Sequence, residues 1–351
     1  MSTARALLDD QRTLVGALVA LVAVIALLLF VDLPGSDLVT VGALERALQA
    51  ATPIALAAIG GLYAEKSGVF NIGLEGFMIF GALVGAAVAW LLAGDGSITQ
   101  AHLWVAFVAV AVVSGVLATL FAVLLIRYEA NQIVAGLAVW FIGLGFGPFA
   151  ATVLWGGVSS PSLPNIDTIA VPVLAEIPVL GRLFFDASPL VLLTIVVAVA
   201  AWAVLFRTRY GYWVQAAGEN PEALDTAGID VNRVRYATVV FSGVMAGLGG
   251  AVLSIGIGSG FTGTGVTMVD GRGWIAIVAY LFGNYNPLGT YGASLLFGAM
   301  DMLQIQLQTI GISLPGSITG LFPYVAVLVV LVGVGYTRVP SAVGESYDTE
   351  E

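Results

Sequence analysis

The chain has 351 residues, of which 59% are hydrophobic and only 10% are charged, whereas charged residues make up about 25% of an average soluble domain. The formal net charge of −10 at pH 7 argues against a nucleic-acid-binding protein, because a phosphate backbone is bound by a basic surface. Cysteine is absent and histidine occurs once, at His102 in a predicted loop, which excludes disulfides and both cysteine and multi-histidine metal sites. We therefore predict a membrane protein without a bound metal or cofactor.

Apolar residues occur in runs of about 20, the length of an α-helix that crosses a bilayer. The period-two alternation of a transmembrane β-barrel is not seen. The sequence predicts an all-α polytopic protein of the cell membrane, and its 44 glycines favour close helix packing in lipid. About ten spans are predicted, at residues 14–31, 44–63 (interrupted at Pro53 and at Gly60 and Gly61), 74–92, 103–126, 133–154, 190–206, 237–257, 273–288, 291–309 and 318–336.

Ten spans place both termini on the same side of the membrane. With the N-terminus inside, nine lysine and arginine residues lie on the cytoplasmic side and three on the outer side, in agreement with the positive-inside rule. We predict a cytoplasmic tail at residues 1–13, a transmembrane permease domain at 14–336 and an acidic cytoplasmic tail at 337–351. Within the domain, residues 155–188 form an external loop with a short amphipathic piece near 180–185, and residues 207–236 form a cytoplasmic loop.

The pattern of the second span, a Gly-rich connection and the third span is repeated by the seventh span, a second Gly-rich connection and the eighth span. The two units are five spans apart, so they cross the membrane in opposite senses. This pattern is typical of inverted-repeat transporters, in which broken backbone near the midplane lines a substrate path.

The longest charged interval among the spans is residues 207–235, which carries an arginine pair at each edge. Inside it, Asn220 is a favourable N-cap and Pro221 suits the first helical position. Glu222 and Asp225 would lie near the positive end of the helix dipole, and Gly228 could end the helix in a left-handed conformation. The interval therefore predicts a short, well-capped helix outside the membrane.

No catalytic motif is present: the chain has neither a Gly-x-x-x-x-Gly-Lys-Ser/Thr phosphate loop nor a His-Glu-x-x-His zinc motif. We therefore predict that this chain is not an enzyme and that it does not bind ATP through a phosphate loop. No residues in the sequence support an intramembrane enzyme or a scaffold protein.

Polar residues inside spans are costly and usually face the interior of the helix bundle. In the ninth span Asp301, Gln304 and Gln308 share one helical face, which is typical either of a polar wall or of hydrogen bonding between helices. Asn71 and Glu75 share a face if that part of the chain is helical. Two interpretations are open: the pair lines a substrate path, or it belongs to the solvated end of a loop. Further candidates for the path are Trp274, which could stack on a substrate or belong to an interfacial belt, and Asn284, which could also belong to an ordinary turn.

Three segments together resemble a known family: GVFNIGLEG at 68–76, AGENPEALDTAGIDVNRVR at 217–235 and GRGWIAIVAYLFGNYNPLG at 271–289. In this order they resemble the permease subunits of ATP-binding-cassette importers for simple sugars and nucleosides, and the related ribose and branched-chain amino-acid permeases. The resemblance covers roughly residues 45–335. The first segment is closer to the nucleoside type, because the ribose type tends to carry Asp-Leu-Ser at the matching place.

The resemblance implies that the cytoplasmic loop carries a coupling helix that docks in a groove of a cytoplasmic ATPase. The residues carried over are Gly218, Glu219, Asn220, Pro221, Ala223, Ala227 and Gly228. It also implies a second, homologous permease subunit, identical or not, and an extracellular substrate-binding protein that meets the external loop. The expected function is uptake of a nucleoside or a simple sugar.

The alternative is a secondary carrier of a small neutral solute that is driven by H⁺ or Na⁺. Such a carrier needs essential carboxylates within the membrane, for which Asp301 is the main candidate and Glu75 a marginal one.

Overall fold

The computed structural model describes residues 40–170, 177, 183, 186–309, 321, 339–345 and 347. The predicted first span and N-terminal tail lie outside these residues, as do nearly all of the tenth span and of the amphipathic piece near 180–185.

Helices make up most of the described chain. They are α1 (Val41–Lys66), α2 (Leu74–Ala93), α3 (Gln100–Ala122), α4 (Gln132–Trp155), α5 (Pro189–Arg207), α6 (Arg209–Glu219), α7 (Pro221–Thr226), α8 (Val231–Ala251), α9 (Arg272–Phe282) and α10 (Pro287–Thr309). α3 and α8 continue into π-helical turns, Val123–Arg127 and Val252–Gly256. The two-residue strands β1 (Ile169–Ala170) and β2 (Asp186–Ala187) pair antiparallel.

Six of these helices are long and apolar enough to cross a membrane: α1, α2, α4 and α5, and α3 and α8 together with their π-helical turns. They correspond to the second to seventh predicted spans, which confirms an all-α polytopic membrane protein. α10 has 23 residues but is not among these six helices. It is less apolar because it contains Asp301, Gln304, Gln306 and Gln308.

α8 lies at the centre of the bundle and packs against α1, α2 and α3. The packing is close because glycines face backbone: a Cβ on Gly81 of α2 would overlap the backbone of Gly247 in α8, and a Cβ on Gly60 of α1 would lie 2.9 Å from the carbonyl oxygen of Ser242. Helices in lipid gain their association from such contacts, since hydrophobicity gives no drive there.

The predicted interruption of the second span at Pro53 and at Gly60 and Gly61 is wrong. α1 is continuous from Val41 to Lys66 with Pro53 inside it. Gly60 faces α8, and Gly61 faces the ring of Tyr280. The glycines therefore allow close helix packing and do not break the helix. A proline is compatible with a transmembrane helix because neighbouring helices can satisfy the backbone groups that it frees.

The predicted eighth span at 273–288 is not a single helix. α9 has 11 residues and is about 16 Å long, whereas the hydrocarbon core is about 30 Å thick. Asn284 and Tyr285 have φ values of 49° and 53°, a left-handed backbone that ends the helix, and Pro287 begins α10. A half-length helix thus stands where a complete span was expected.

Two further features concern the connections that were predicted to lie outside the cell. His102 is not in a loop: it lies in the first turn of α3, where its Nδ1 accepts a hydrogen bond from the backbone N–H of Thr99 at 3.3 Å. The beginning of the 155–188 segment runs along the connection between α8 and α9, where the N–H of Ser160 donates to the carbonyl of Phe261 at 2.9 Å. The two segments therefore cover the same end of the bundle.

Candidate functional site: a polar cluster around α9 and a capped polar helix

Glu75, in the first turn of α2, holds the N-terminus of α9. Its Oε1 accepts a hydrogen bond from the N–H of Gly271 at 2.8 Å and its Oε2 accepts one from the N–H of Gly273 at 2.7 Å. These are donors that a helix leaves without an internal partner, and a carboxylate there also complements the helix dipole. Glu75 is only 2% exposed, so it is not the solvated loop end that was one interpretation of the sequence.

Asn71 is buried beside Glu75 but precedes the helix, so the two do not share a helical face. Its Oδ1 accepts from the N–H of Gly73 and its Nδ2 donates to Ser242 Oγ, each at 2.9 Å. Asn71 therefore fixes the turn that begins α2 and joins that turn to α8.

Asp301 of α10 is paired with Arg272, the first residue of α9, at 2.9 Å between Oδ2 and Nη2. Both side chains are about one-fifth exposed, 19% for Asp301 and 22% for Arg272. Arg272 also donates to the carbonyl of Val269 at 3.1 Å. Two interpretations of Asp301 were open, a polar wall and contact between helices. The structure shows contact between helices, in the form of an ion pair.

Trp274, on the first turn of α9, is half-buried and meets Trp140 of α4 edge to face, with the ring centroids 5.4 Å apart. Asn284 is exposed and lies beyond the opposite end of α9, away from Glu75. The side chain of Gln304 lies outside the described part of the chain. The structure therefore brings Glu75, Trp274 and Asp301 together at the start of α9. It places Asn71 at the turn that begins α2 and separates Asn284 from these residues.

A second buried carboxylate, which sequence reasoning missed, lies at the other end of α9. Glu65 of α1 accepts hydrogen bonds from the hydroxyls of Tyr280 and Tyr285, the latter at 2.6 Å. Lys66 lies over the ring of Tyr285 at 5.3 Å. α9 is thus held at each end by one glutamate. Both tyrosines belong to the 271–289 motif. The motif marked them as residues of interest, but it did not indicate that their partner is Glu65.

The capped helix predicted on the cytoplasmic side is α7. Asn220 Oδ1 accepts from the N–H of Ala223 at 3.0 Å, and Pro221 occupies the first turn. Gly228 follows with a φ of 79°. Apart from Leu224, which is buried beside Ala217 and Val231, the side chains of α7 are exposed or half-buried. Its exposed residues include Ala223 and, just beyond its C-terminus, Ala227 and Gly228.

The sequence did not indicate α6, which precedes α7 and carries the first two of the predicted coupling residues. Thr208 caps it by accepting from the N–H of Gly211 at 3.4 Å. Gly218 is buried, and a Cβ there would overlap the carbonyl oxygen of Lys66. Glu219 is exposed. Gly218 therefore fits α6 against the end of α1 and does not present a side chain to a partner.

The four arginines at the edges of the loop differ in their surroundings. Arg207 lies over the ring of Trp202 and Arg209 over the rings of Tyr210 and Trp213. Arg233 is exposed and pairs with Asp230, whereas Arg235 is buried. The four arginines therefore do not share one structural role.

Among the described residues no group of three or more histidine, aspartate or glutamate side chains could hold a metal ion. The site consists of hydrogen-bonded carboxylates, amides and aromatic rings, which can position a helix or bind a polar uncharged molecule.

Comparison with known proteins places the chain in a family. Residues 43–331 match the family described as branched-chain amino acid transport system / permease component. The nucleoside ABC transporter permease protein NupC of Lactococcus lactis subsp. cremoris is 36% identical over 300 residues, which are 84% of this chain and 93% of that protein. The guanosine ABC transporter permease protein NupQ of Bacillus subtilis is 34% identical over 85% of this chain and 93% of its own length.

The putative glucose ABC transporter permease protein TsgC13 of Haloferax volcanii is 32% identical over 78% of this chain and 80% of that protein. No solved structure matches the chain. The resemblance indicated by the three sequence motifs is thereby confirmed. The chain belongs to the branched-chain amino acid transport system / permease component family and is a multi-pass permease of the cell membrane.

Proposed function

We propose that this chain forms the membrane path through which an ATP-driven importer takes up nucleosides. One observation carries the choice of substrate: the permeases named for nucleosides and for guanosine match this chain over 93% of their own lengths. The relative named as a putative glucose permease matches over 80% of its length, so a simple sugar is the second choice. ATP is hydrolysed on a partner, and this chain catalyses no reaction.

The path runs past the polar cluster at the N-terminus of α9. Buried polar groups that are already hydrogen-bonded give a surface of fixed dipoles, which suits a solute that is polar but uncharged. Asn71, Glu75, Trp274 and Asp301 belong to this wall, and Gln304 follows Asp301 on the same face of α10. Asn284 lies at the far end of α9 and would meet the solute at a different stage of its passage.

The ATPase docks on α7 and on the residues that flank it. Support comes from the exposure of Glu219, Asn220, Ala223, Ala227 and Gly228, together with the cap that keeps so short a helix formed. Pro221 begins the helix. Gly218 allows close contact between α6 and the end of α1. A displacement of α7 by the ATPase is therefore transmitted to the transmembrane helices.

The complete permease crosses the membrane ten times in an inverted repeat, with the half-length α9 in the eighth crossing. Both termini, the 207–236 loop and the tail at 337–351 lie in the cytoplasm. The repeat is supported by the packing of α1 against α8, the first helices of the two units, and by the contact of Glu75 with α9, the second helix of the other unit. The assembly contains a second homologous permease and an extracellular binding protein that meets the 155–188 loop.

Uptake measured in cells that lack their own nucleoside importers tests the proposal. The chain is expressed together with the ATPase, the second permease and the binding protein, and uptake of labelled adenosine is followed in competition with guanosine, ribose and glucose. We expect competition by guanosine and not by the sugars, and loss of uptake when the ATPase cannot hydrolyse ATP.

Competition by glucose alone would transfer the substrate assignment to sugars and leave the importer intact. Adenosine uptake that persists without ATP hydrolysis, and that collapses when the proton or sodium gradient is removed, would contradict the proposal and favour the secondary carrier.

A further inference from the structure

The guanidinium of Arg235, at the start of α8, joins three segments that are far apart in the sequence. Its Nε donates to the carbonyl of Ser67 at 3.2 Å, its Nη1 to the carbonyl of Glu345 at 2.9 Å and its Nη2 to the carbonyl of Ala217 at 3.5 Å. Arg235 is only 3% exposed. A planar guanidinium holds five donors in a fixed fork and can reach carbonyls that lie apart, whereas an ammonium is a compact group with three donors on one atom.

Each of these carbonyls belongs to a different part of the proposed machinery. Ser67 directly follows α1 and begins the 67–73 connection, which contains Asn71 and leads to Glu75. Ala217 lies in the last turn of α6, next to the residues proposed to meet the ATPase. Glu345 lies in the C-terminal segment, by which we mean residues 339–345 and 347.

The C-terminal segment is itself bonded to both of the other parts. The N–H of Ala342 donates to the carbonyl of Gly218 at 2.8 Å, and the N–H of Gly344 donates to the carbonyl of Gly68 at 3.0 Å. Ala342 is buried. Gly68 has a φ of 94°, and a Cβ there would lie 2.9 Å from Nη2 of Arg235. The three segments are therefore in close contact at Gly68.

Two side-chain contacts extend the segment onto the coupling helices. Ser341 Oγ donates to Glu219 at 3.2 Å, and the Tyr347 hydroxyl donates to Asp225 of α7 at 3.0 Å. Desolvation and the hydrogen bond to the Asp225 carboxylate raise the pKa of the Tyr347 phenol, and a phenol is a donor at neutral pH even at its ordinary pKa. The segment thus spans from α7 to the 67–73 connection.

We propose that Arg235 and the C-terminal segment form the mechanical link between the coupling helices and the substrate path. In this arrangement Arg235 is a positioning residue: a movement of α6 and α7 shifts the 67–73 connection, and with it Asn71. Separating any of the three segments would leave donors of a buried charge without acceptors, which is strongly unfavourable. The inference rests on the proposed ATP-driven function, because it needs a partner that moves α7.

The test replaces Arg235 by lysine in the complete complex, reconstituted in vesicles with ATPase, second permease and binding protein. Substrate uptake and ATP hydrolysis are measured in the same vesicles. We expect uptake per ATP to fall about tenfold, the size of effect that loss of one hydrogen bond to a charged group would give, while ATP hydrolysis continues. Arg233→Lys is the matched control, since its side chain is 87% exposed and pairs with Asp230; it should keep the wild-type ratio.

A second variant, Ser341→Ala combined with Tyr347→Phe, removes the two contacts to α6 and α7 without touching the buried core. It should lower the same ratio in the same direction, and Tyr212→Phe, a change at an exposed tyrosine of α6, should not. An unchanged ratio in both the Arg235 and the double variant would overturn the link. A proportional fall of uptake and hydrolysis would also overturn it, because Arg235 would then only maintain the fold.

Hydrogen–deuterium exchange of the 67–73 connection supplies a readout that needs no transported substrate. In the wild-type complex, binding of ATP to the partner should change exchange in this connection, and in the Arg235→Lys complex it should not. If ATP changes the exchange equally in both, the link is wrong even when the complex imports substrate. If the wild-type complex imports no nucleoside but shows the exchange difference, the substrate proposal fails and the link stands.

Discussion

Glu75 and Gly273 are 198 positions apart in the sequence and in direct contact: Oε2 of the glutamate accepts a hydrogen bond from the N–H of the glycine at 2.7 Å, and a Cβ on Gly273 would overlap the backbone of Glu75. A carboxylate at the start of one helix thereby caps the start of another, in the opposite unit of the proposed repeat. The position of α9 depends on this contact at one end and on Glu65 at the other.

Replacing Glu75 by glutamine tests this dependence. The amide keeps one accepting oxygen and turns an NH₂ group towards the remaining N–H of Gly271 or Gly273. A buried donor without an acceptor costs about 1–3 kcal/mol, so we expect uptake to fall about tenfold and the unfolding temperature in detergent to decrease. Asp95→Asn, at an exposed position between α2 and α3, is the control. Wild-type uptake in the Glu75 variant would mean that α9 is held by other contacts.

The ion pair of Asp301 with Arg272 predicts the outcome of Asp301→Asn. The pair is partly exposed, so its loss should cost between the about 1 kcal/mol of surface pairs and the about 3–5 kcal/mol of buried ones. Uptake should be reduced, and the double variant Arg272→Gln with Asp301→Asn should recover part of it because no charge is left alone. At constant ATP, dissipation of the proton gradient should not alter uptake in any of these proteins.

That last measurement separates the two transport mechanisms. Uptake that follows the proton gradient in the wild type, and loses this dependence in Asp301→Asn, would identify Asp301 as a proton carrier and contradict the role of an ion-pair partner.

The exposed face of α7 predicts that Ala223→Arg blocks docking of the ATPase without affecting the fold. Ala223 is exposed, and an arginine there would need space at a closely packed interface. We expect normal amounts of permease in the membrane but loss of ATPase co-purification and of uptake. Ala101→Arg, exposed at the start of α3 on the predicted outer side, should retain both. Co-purification at the wild-type level would exclude α7 from the docking surface.

The backbone contact between α2 and α8 predicts that Gly81→Ala prevents normal folding, because the new Cβ would overlap the carbonyl of Gly247. Overpacking of this kind costs about 1–3 kcal/mol and sometimes more. Gly145→Ala on α4 has nothing within 4 Å of its Cβ position and should be tolerated. The amount of monodisperse protein after detergent extraction compares the two, and equal yields would contradict the close packing of these helices.

Hydrophobic run length predicted the second to seventh spans well, because an apolar stretch of sufficient length has few alternatives to a helix in lipid. It failed at α9, where an apolar sequence continues through residues that adopt a left-handed backbone, since hydropathy contains no information on φ. It also missed α6, whose mixed polar and aromatic residues give no membrane signal.

The site was predicted less completely than the fold. Asn71, Glu75 and Asp301 were found because polar residues near apolar runs stand out locally. Their partners could not be found in this way: Gly273, Ser242 and Arg272 are joined to them by tertiary contacts that no local periodicity encodes. Arg235 appeared as one of several loop arginines, and only its surroundings distinguish it from Arg233.

The close contact of α1 and α2 with α8 has a further consequence for how the path opens. With Gly60 against Ser242 and Gly81 against Gly247, sliding along the shared axis would drive a neighbouring side chain into backbone after a fraction of a helical turn. These three helices therefore move as one rigid body. α9 is half the length of a span, but Gly61 lies against Tyr280 and Gly273 lies against the backbone of Glu75. It is therefore held to that body by close packing as well as by hydrogen bonds to Glu65 and Glu75. Opening of the path is then expected where other helices meet this body, with the glycine-packed centre unchanged.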